Sequence, residues 1–196
     1  MLNSLENLLD EIAPGRQVTQ LYAAASADII PRCAHSRRTW ELLVQTASSL
    51  NLPINTRYCS TDHIQAAKGI LSNSGKIVVV SWEHTNIPAL VGWTMALAIN
   101  PRADKPLDGI PQWHGNVFDQ YWVVDLRGKR PAFSIYPQSI LPTDCPFARE
   151  PNGKCPGKDV YFGESDAETD LVYERSSSAI ILLLVLIGGM LILYNK

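Results

Sequence analysis

Apolar residues recur along this chain in two rhythms, and the longest β-branched run lies near its middle. Ile77 to Val80 is unbroken Ile-Val-Val-Val, the pattern of a strand buried on both faces. It stops at Ser81-Trp82 and gives way to the polar Glu83-His84-Thr85-Asn86. Pro88 then stands where a first helical turn begins, ahead of the apolar stretch Ala89 to Ala98. Upstream, Leu2, Leu5, Leu8, Leu9 and Ile12 recur at helical spacing over Met1 to Ala13, and Pro14-Gly15 closes that helix. Val18 to Ala25 reads as a buried strand and Ser26 to His35 as a loop. Ser36 caps a helix to about Leu50, with Trp40, Leu43, Ala47 and Leu50 as its packed stripe. Leu52 to Tyr58 reads as a short strand, and Thr61-Asp62 caps a helix through Ile64, Ala67 and Leu71. A Pro/Gly/Asp-rich loop from Asn100 to Gly115 leads to a strand over Val117 to Leu126, with one more at Ala132 to Tyr136.

Alternating helices and strands predict an α/β domain: three layers, helix–sheet–helix, around a mostly parallel sheet. We place that domain at 1–141. Residues 142–175 turn to Pro, Gly, Asp and Glu, the composition of an extended linker. The run from Ser176 to Tyr194 then contains no charged residue. As a helix, Ala179 to Tyr194 covers about 24 Å at ~1.5 Å per residue, which predicts a single-pass transmembrane anchor over 176–195. Arg175 and Lys196 flank it, and Tyr194 suits an interface. A buried core helix is the competing assignment. With no apolar segment at the start of the sequence, the expectation is a tail-anchored protein whose domain is cytosolic; a signal peptide upstream would make it luminal or extracellular.

Composition narrows the function. A content of 46% hydrophobic residues over 196 suits one globular domain with appendages, and a net charge of −2 gives no reason to propose nucleic-acid binding. Cys145 and Cys155 bracket a Pro/Gly-rich loop that could close a disulfide in an oxidising compartment, but reduced surface cysteines are the expectation for this chain. No His lies near that loop, so no zinc site is read there, and no metal or cofactor is expected. A P-loop, a Gly-x-Gly-x-x-Gly turn and a Gly-x-Ser-x-Gly elbow are all missing from the sequence.

The candidate chemistry sits at two turns. His84 follows a strand, beside Glu83 and at a helix entrance, a position suited to phosphate or acid–base work. Phosphoryl transfer also needs fixed positive charge around three oxygens, and Arg supplies it as a planar fork. Arg38 lies in the first turn of its helix, whereas the adjacent Arg37 points about 100° away around the axis. Read alone, the Arg37-Arg38 pair is a solvated helix start.

Residues 80–90, Val-Ser-Trp-Glu-His-Thr-Asn-Ile-Pro-Ala-Leu, resemble the segment carrying the second catalytic histidine of the histidine phosphatase (phosphoglycerate mutase-like) superfamily. Arg38-Thr-Trp-Glu41 is similar to the superfamily's Arg followed three residues later by Gln or Glu, with Leu42 where Thr is usual. The order of elements fits from about Gly15 to Leu126. The resemblance implies that Arg38 binds a phosphoryl group and that His84 hydrogen-bonds it and stabilises the transition state. It implies a phosphohistidine that is then hydrolysed, without a metal, from a phosphorylated small molecule or phosphoprotein. Asp62, ahead of Glu83, is the candidate proton donor. The family's nucleophile, a His in an Arg-His-Gly or Arg-His-Ala/Glu segment ending the first strand, has no counterpart; His35, His63 and His114 do not follow an Arg. The expectation is therefore a phosphatase-like chain with impaired phosphomonoester hydrolysis, either a truncated product or a degenerate relative. The alternative is a non-catalytic, membrane-tethered interaction module.

Overall fold

In a computed structural model the structure describes residues 9–73, 77–113, 120–128, 130–137, 180–185 and 190–194. Strand β1 (Val18–Ala23) leads to helix α1 (Arg38–Leu50), then β2 (Ile54–Asn55), α2 (His63–Leu71), β3 (Ile77–Ser81) and α3 (Ile87–Ile99). β4 (Gln120–Asp125) and β5 (Ala132–Pro137) follow. β1 lies between β2 and β3 and runs parallel to both, with Leu21 opposite Ile54 and Val79, and Ala23 opposite Ser81. This is the α/β arrangement that the alternating pattern predicts, helices on a parallel three-stranded sheet. β4 and β5 form an antiparallel hairpin from Gln120↔Pro137 to Asp125↔Ala132.

Every residue of β3 is buried, as its apolar run requires of a central strand. α3 is apolar almost all round, which is why nine of its residues, from Ile87 to Leu97, are buried. Its first turn holds Pro88, where a missing N–H costs nothing. Tyr22 ties β1 to the end of α2: its hydroxyl donates to the Gly69 carbonyl at 3.1 Å and accepts from Asn73 at 3.0 Å. Burial raises the Tyr22 pKa.

Several boundaries differ from expectation. The first helix is described only from Leu9, and the strand expected over Leu52 to Tyr58 shrinks to Ile54–Asn55. Trp40 does not belong to the packed stripe of α1: it is 42% exposed, while Thr39, Leu43 and Thr46 are the buried residues. Thr39 is buried because its hydroxyl donates to the Ala24 carbonyl at 2.8 Å, fastening α1 to the end of β1. The linker at 142–175, Cys145, Cys155 and His114 lie outside the described residues.

The apolar C-terminal run was expected as one helix over 176–195. Its described parts are extended instead, β6 (Ile180–Val185) and β7 (Met190–Tyr194), paired antiparallel and placed between β3 and β4. A continuous apolar run serves a two-face-buried strand as well as a helix, and periodicity does not separate the two. Among the described residues, no helix is long and apolar enough to cross a membrane.

Candidate functional site

Because β1 and β3 are parallel neighbours in register, their exit loops emerge side by side at one edge of the sheet. Ala24 N–H still donates to the Ser81 carbonyl at 3.1 Å, so the pairing persists just past the strand ends. Beyond it, a cavity of about 240 Å³ opens. Ala24, Ala25 and Ala34 form its apolar wall, and their small side chains leave the room. Its polar lining is Ser36, Arg38, Thr39, Ser60, Glu83 and His84. This is the carboxyl-end crevice where open α/β sheets hold ligands.

Arg38 opens α1, and its backbone N–H donates to Ser36 Oγ at 3.4 Å. Two nearby arginines are neutralised by partners of their own. Arg37 donates to Asp28 at 2.6 Å, and Arg32 grips Asp62 with two bonds of 3.0 and 2.7 Å. The Arg38 guanidinium has no ion-pair or hydrogen-bond partner among the described residues. The angular separation of Arg37 and Arg38 on the helix accounts for this division: one turns to Asp28, the other to the cavity.

His84 begins the single 3₁₀ turn that joins β3 to α3 (His84–Asn86). It is half-buried, and its ring likewise has no hydrogen-bond partner among the described residues. Glu83 is held firmly: its carboxylate accepts from Thr85 Oγ1 at 3.1 Å and from Asn86 Nδ2 at 2.8 Å. With that amide nitrogen donating, Asn86 Oδ1 is left to accept from His63 Nε2–H at 2.9 Å. His63 thus supports Glu83 through Asn86 without lining the cavity.

Of the residues singled out from sequence, the structure brings Arg38, Glu83 and His84 to one cavity. Asp62 is not in its lining. Its carboxylate is committed to Arg32 and to the Cys59 N–H at 2.9 Å. Those Arg32 bonds, above all, hold its pKa below the usual carboxylate value despite the opposing effect of burial. A carboxylate kept ionised this way is a brace for the loop and a poor proton donor near neutrality. Asp62 does occupy the N-cap position of α2, but it makes no side-chain cap bond there.

Sequence reasoning passed over Ser60 and Thr39, and its expectation of reduced cysteines is corrected by a disulfide. Cys33 and Cys59 are bonded, with Cα atoms 5.1 Å apart, across 26 residues of chain. The signal was available: each Cys follows a strand, and in a parallel sheet the loops after adjacent strands lie side by side. No group of three or more His, Cys, Asp or Glu among the described residues could hold a metal ion.

No protein-family model, curated protein or solved structure matches this chain. The likeness to the histidine phosphatase superfamily therefore rests on the Arg38 and His84 segments themselves.

Proposed function

We propose that this cavity binds a phosphoryl group and that the protein is histidine phosphatase-like, with phosphomonoesters as its ligands. The observation that carries the reading is that, among the described residues, Arg38 is unneutralised and His84 unpartnered, in a crevice where the neighbouring Arg32 and Arg37 each have an aspartate. Arg38 supplies fixed charge to two phosphoryl oxygens through its planar fork. His84 donates to a third and strengthens that bond as charge develops. Glu83, held in place by Thr85 and Asn86, takes Asp62's place as the candidate proton donor, a role it would fill only with a nucleophile present. Among the described residues His84 is the one imidazole in the cavity lining, and the sequence carries no Arg-His segment, which leaves the nucleophile's role unfilled, so turnover is slow and binding is the retained activity.

The test is titration of the full chain with inorganic phosphate, together with a phosphomonoester hydrolysis assay. Saturable phosphate binding is expected, weakened in Arg38→Ala by about ten- to a hundredfold, the range for a hydrogen bond to a charged group. Hydrolysis is expected near the uncatalysed rate. Equal phosphate affinity in wild type, Arg38→Ala and His84→Ala would sink the proposal.

A non-catalytic interaction module is the second reading. It is favoured by Trp40 (42% exposed) and Val44 (37%), one turn apart on the outer face of α1. Wild-type chain that binds no phosphate, yet changes its self-association or partner binding on Trp40→Ser, supports that reading.

Membrane attachment through 176–195 belongs to the same proposal, supported by the uncharged run from Ser176 to Tyr194. Full chain retained in carbonate-washed membranes would favour an inserted segment. Full chain in the supernatant would favour the strand arrangement of β6 and β7.

A further inference from the structure

The loop after β2 is fastened from several directions. Ala25 N–H donates to the Tyr58 carbonyl at 2.7 Å, drawing this loop against the one that follows β1. Cys59 is bonded to Cys33, and its own N–H is held by Asp62, which Arg32 braces in turn. The Ser60 carbonyl accepts from the indole N–H of the fully buried Trp82 at 2.8 Å. All these attachments fix backbone, and none of them engages the Ser60 hydroxyl. Ser60 is 7% exposed, lines the cavity with Arg38 and His84, and has no side-chain hydrogen-bond partner among the described residues. Of the other two hydroxyls in the described lining, Thr39 donates to the Ala24 carbonyl, and Ser36, which accepts from the Arg38 N–H, is exposed to solvent rather than buried. The Ser60 hydroxyl is therefore open to the cavity and free to donate to a ligand there.

We propose that Ser60 is a third anion-binding residue of this cavity. It donates its Oγ–H to an oxygen of the phosphoryl group held by Arg38 and His84. The Cys33–Cys59 disulfide and Trp82 act as positioning groups, the first setting the loop against β1 and the second setting the Ser60 peptide against β3. This inference rests on the anion-binding reading above and adds to it a ligand contact and a dependence on oxidation state.

Isothermal titration of the oxidised full chain with inorganic phosphate tests it. Ser60→Ala is expected to weaken binding about tenfold or more, the usual scale for a hydrogen bond to a charged group. Ser60→Thr, which keeps a hydroxyl, is expected to recover most of the loss. Trp82→Phe keeps a buried ring but removes the indole N–H, and should cost several-fold. Reducing the disulfide is expected to weaken binding in wild type and to add little in Ser60→Ala. Such non-additivity marks two changes acting through one contact, and a merely structural role for the disulfide would not produce it.

Ser60→Ala that binds as wild type does, while Arg38→Ala fails, overturns the Ser60 assignment and leaves the cavity reading standing. Phosphate binding that is missing in wild type, or unchanged by Arg38→Ala and His84→Ala, removes the cavity reading and the Ser60 assignment together. Equal sensitivity to reduction in wild type and Ser60→Ala overturns the positioning role of the disulfide.

Discussion

The two flanks of the sheet are built from strands of similar burial and do different work. On the β2–β1–β3 flank the strands are parallel, so the chain crosses back through a helix after each one. Every exit loop on that flank reaches the same edge, and the loops after β1, β2 and β3 meet there around Arg38, Ser60 and His84. On the β4–β5 flank the strands are antiparallel, and one short connection joins them. Aromatic packing closes that side: Trp122 stacks on Trp113 and meets Phe133 edge-on, both at ring centroid separations of 5.0 Å. Connectivity, more than composition, decides which flank gathers polar groups.

The contrast predicts that stability and ligand binding separate by region. The largest effect on folding is expected from Trp122→Ala, which empties a site that is 1% exposed between two rings. A loss of about 3–5 kcal/mol is expected from denaturant titration, with phosphate affinity of the folded fraction unchanged. Weakened phosphate binding in that variant, at full folding, would mean that the flanks are coupled.

Cys33→Ser acts on the other flank. Opening a loop of 26 residues is expected to lower stability by about 3 kcal/mol on the chain-entropy account. Unlike the tryptophan variant, it should also weaken phosphate binding in the molecules that remain folded.

Asp62→Ala is the mildest of the three, about 1–2 kcal/mol at pH 7 for the lost Arg32 and Cys59 hydrogen bonds. The carboxyl pKa is lowered in the folded state. Its contribution is therefore present above the ordinary aspartate range and is lost as pH falls through the lower folded value. The gap in stability between wild type and Asp62→Ala should accordingly close in acid. A constant gap across the acid range would show that the Arg32–Asp62 pair is not what Asp62 contributes.

Much of the parallel flank was legible in the sequence. The Ile77–Val80 run and Pro88 bound β3 and the start of α3, because a doubly buried strand and a Pro-led helix leave strong local patterns. Arg38 and His84 could be found because each stands at a strand–loop–helix junction, where sequence order and site geometry coincide. Ser60 and the Cys33–Cys59 bond were harder to find, since they depend on which loops become neighbours once the sheet is assembled. Trp40 misled for a different reason. Spacing favours the larger apolar residue, whereas Thr39 takes the inward position because the Ala24 carbonyl needs its hydroxyl. The Ser176–Tyr194 run is ambiguous in principle, as its lack of polar residues leaves no periodicity to read.

Pairing Arg32 with Asp62 and Arg37 with Asp28 has a kinetic consequence. Each pair cancels its own charge within a few ångströms, so of the three arginines here Arg38 is left to project a field from the cavity, and a chain of net charge −2 opposes it at longer range. An anion arriving here is steered only weakly from a distance. Its association rate should change little with ionic strength, and discrimination among anions falls to contacts made after arrival.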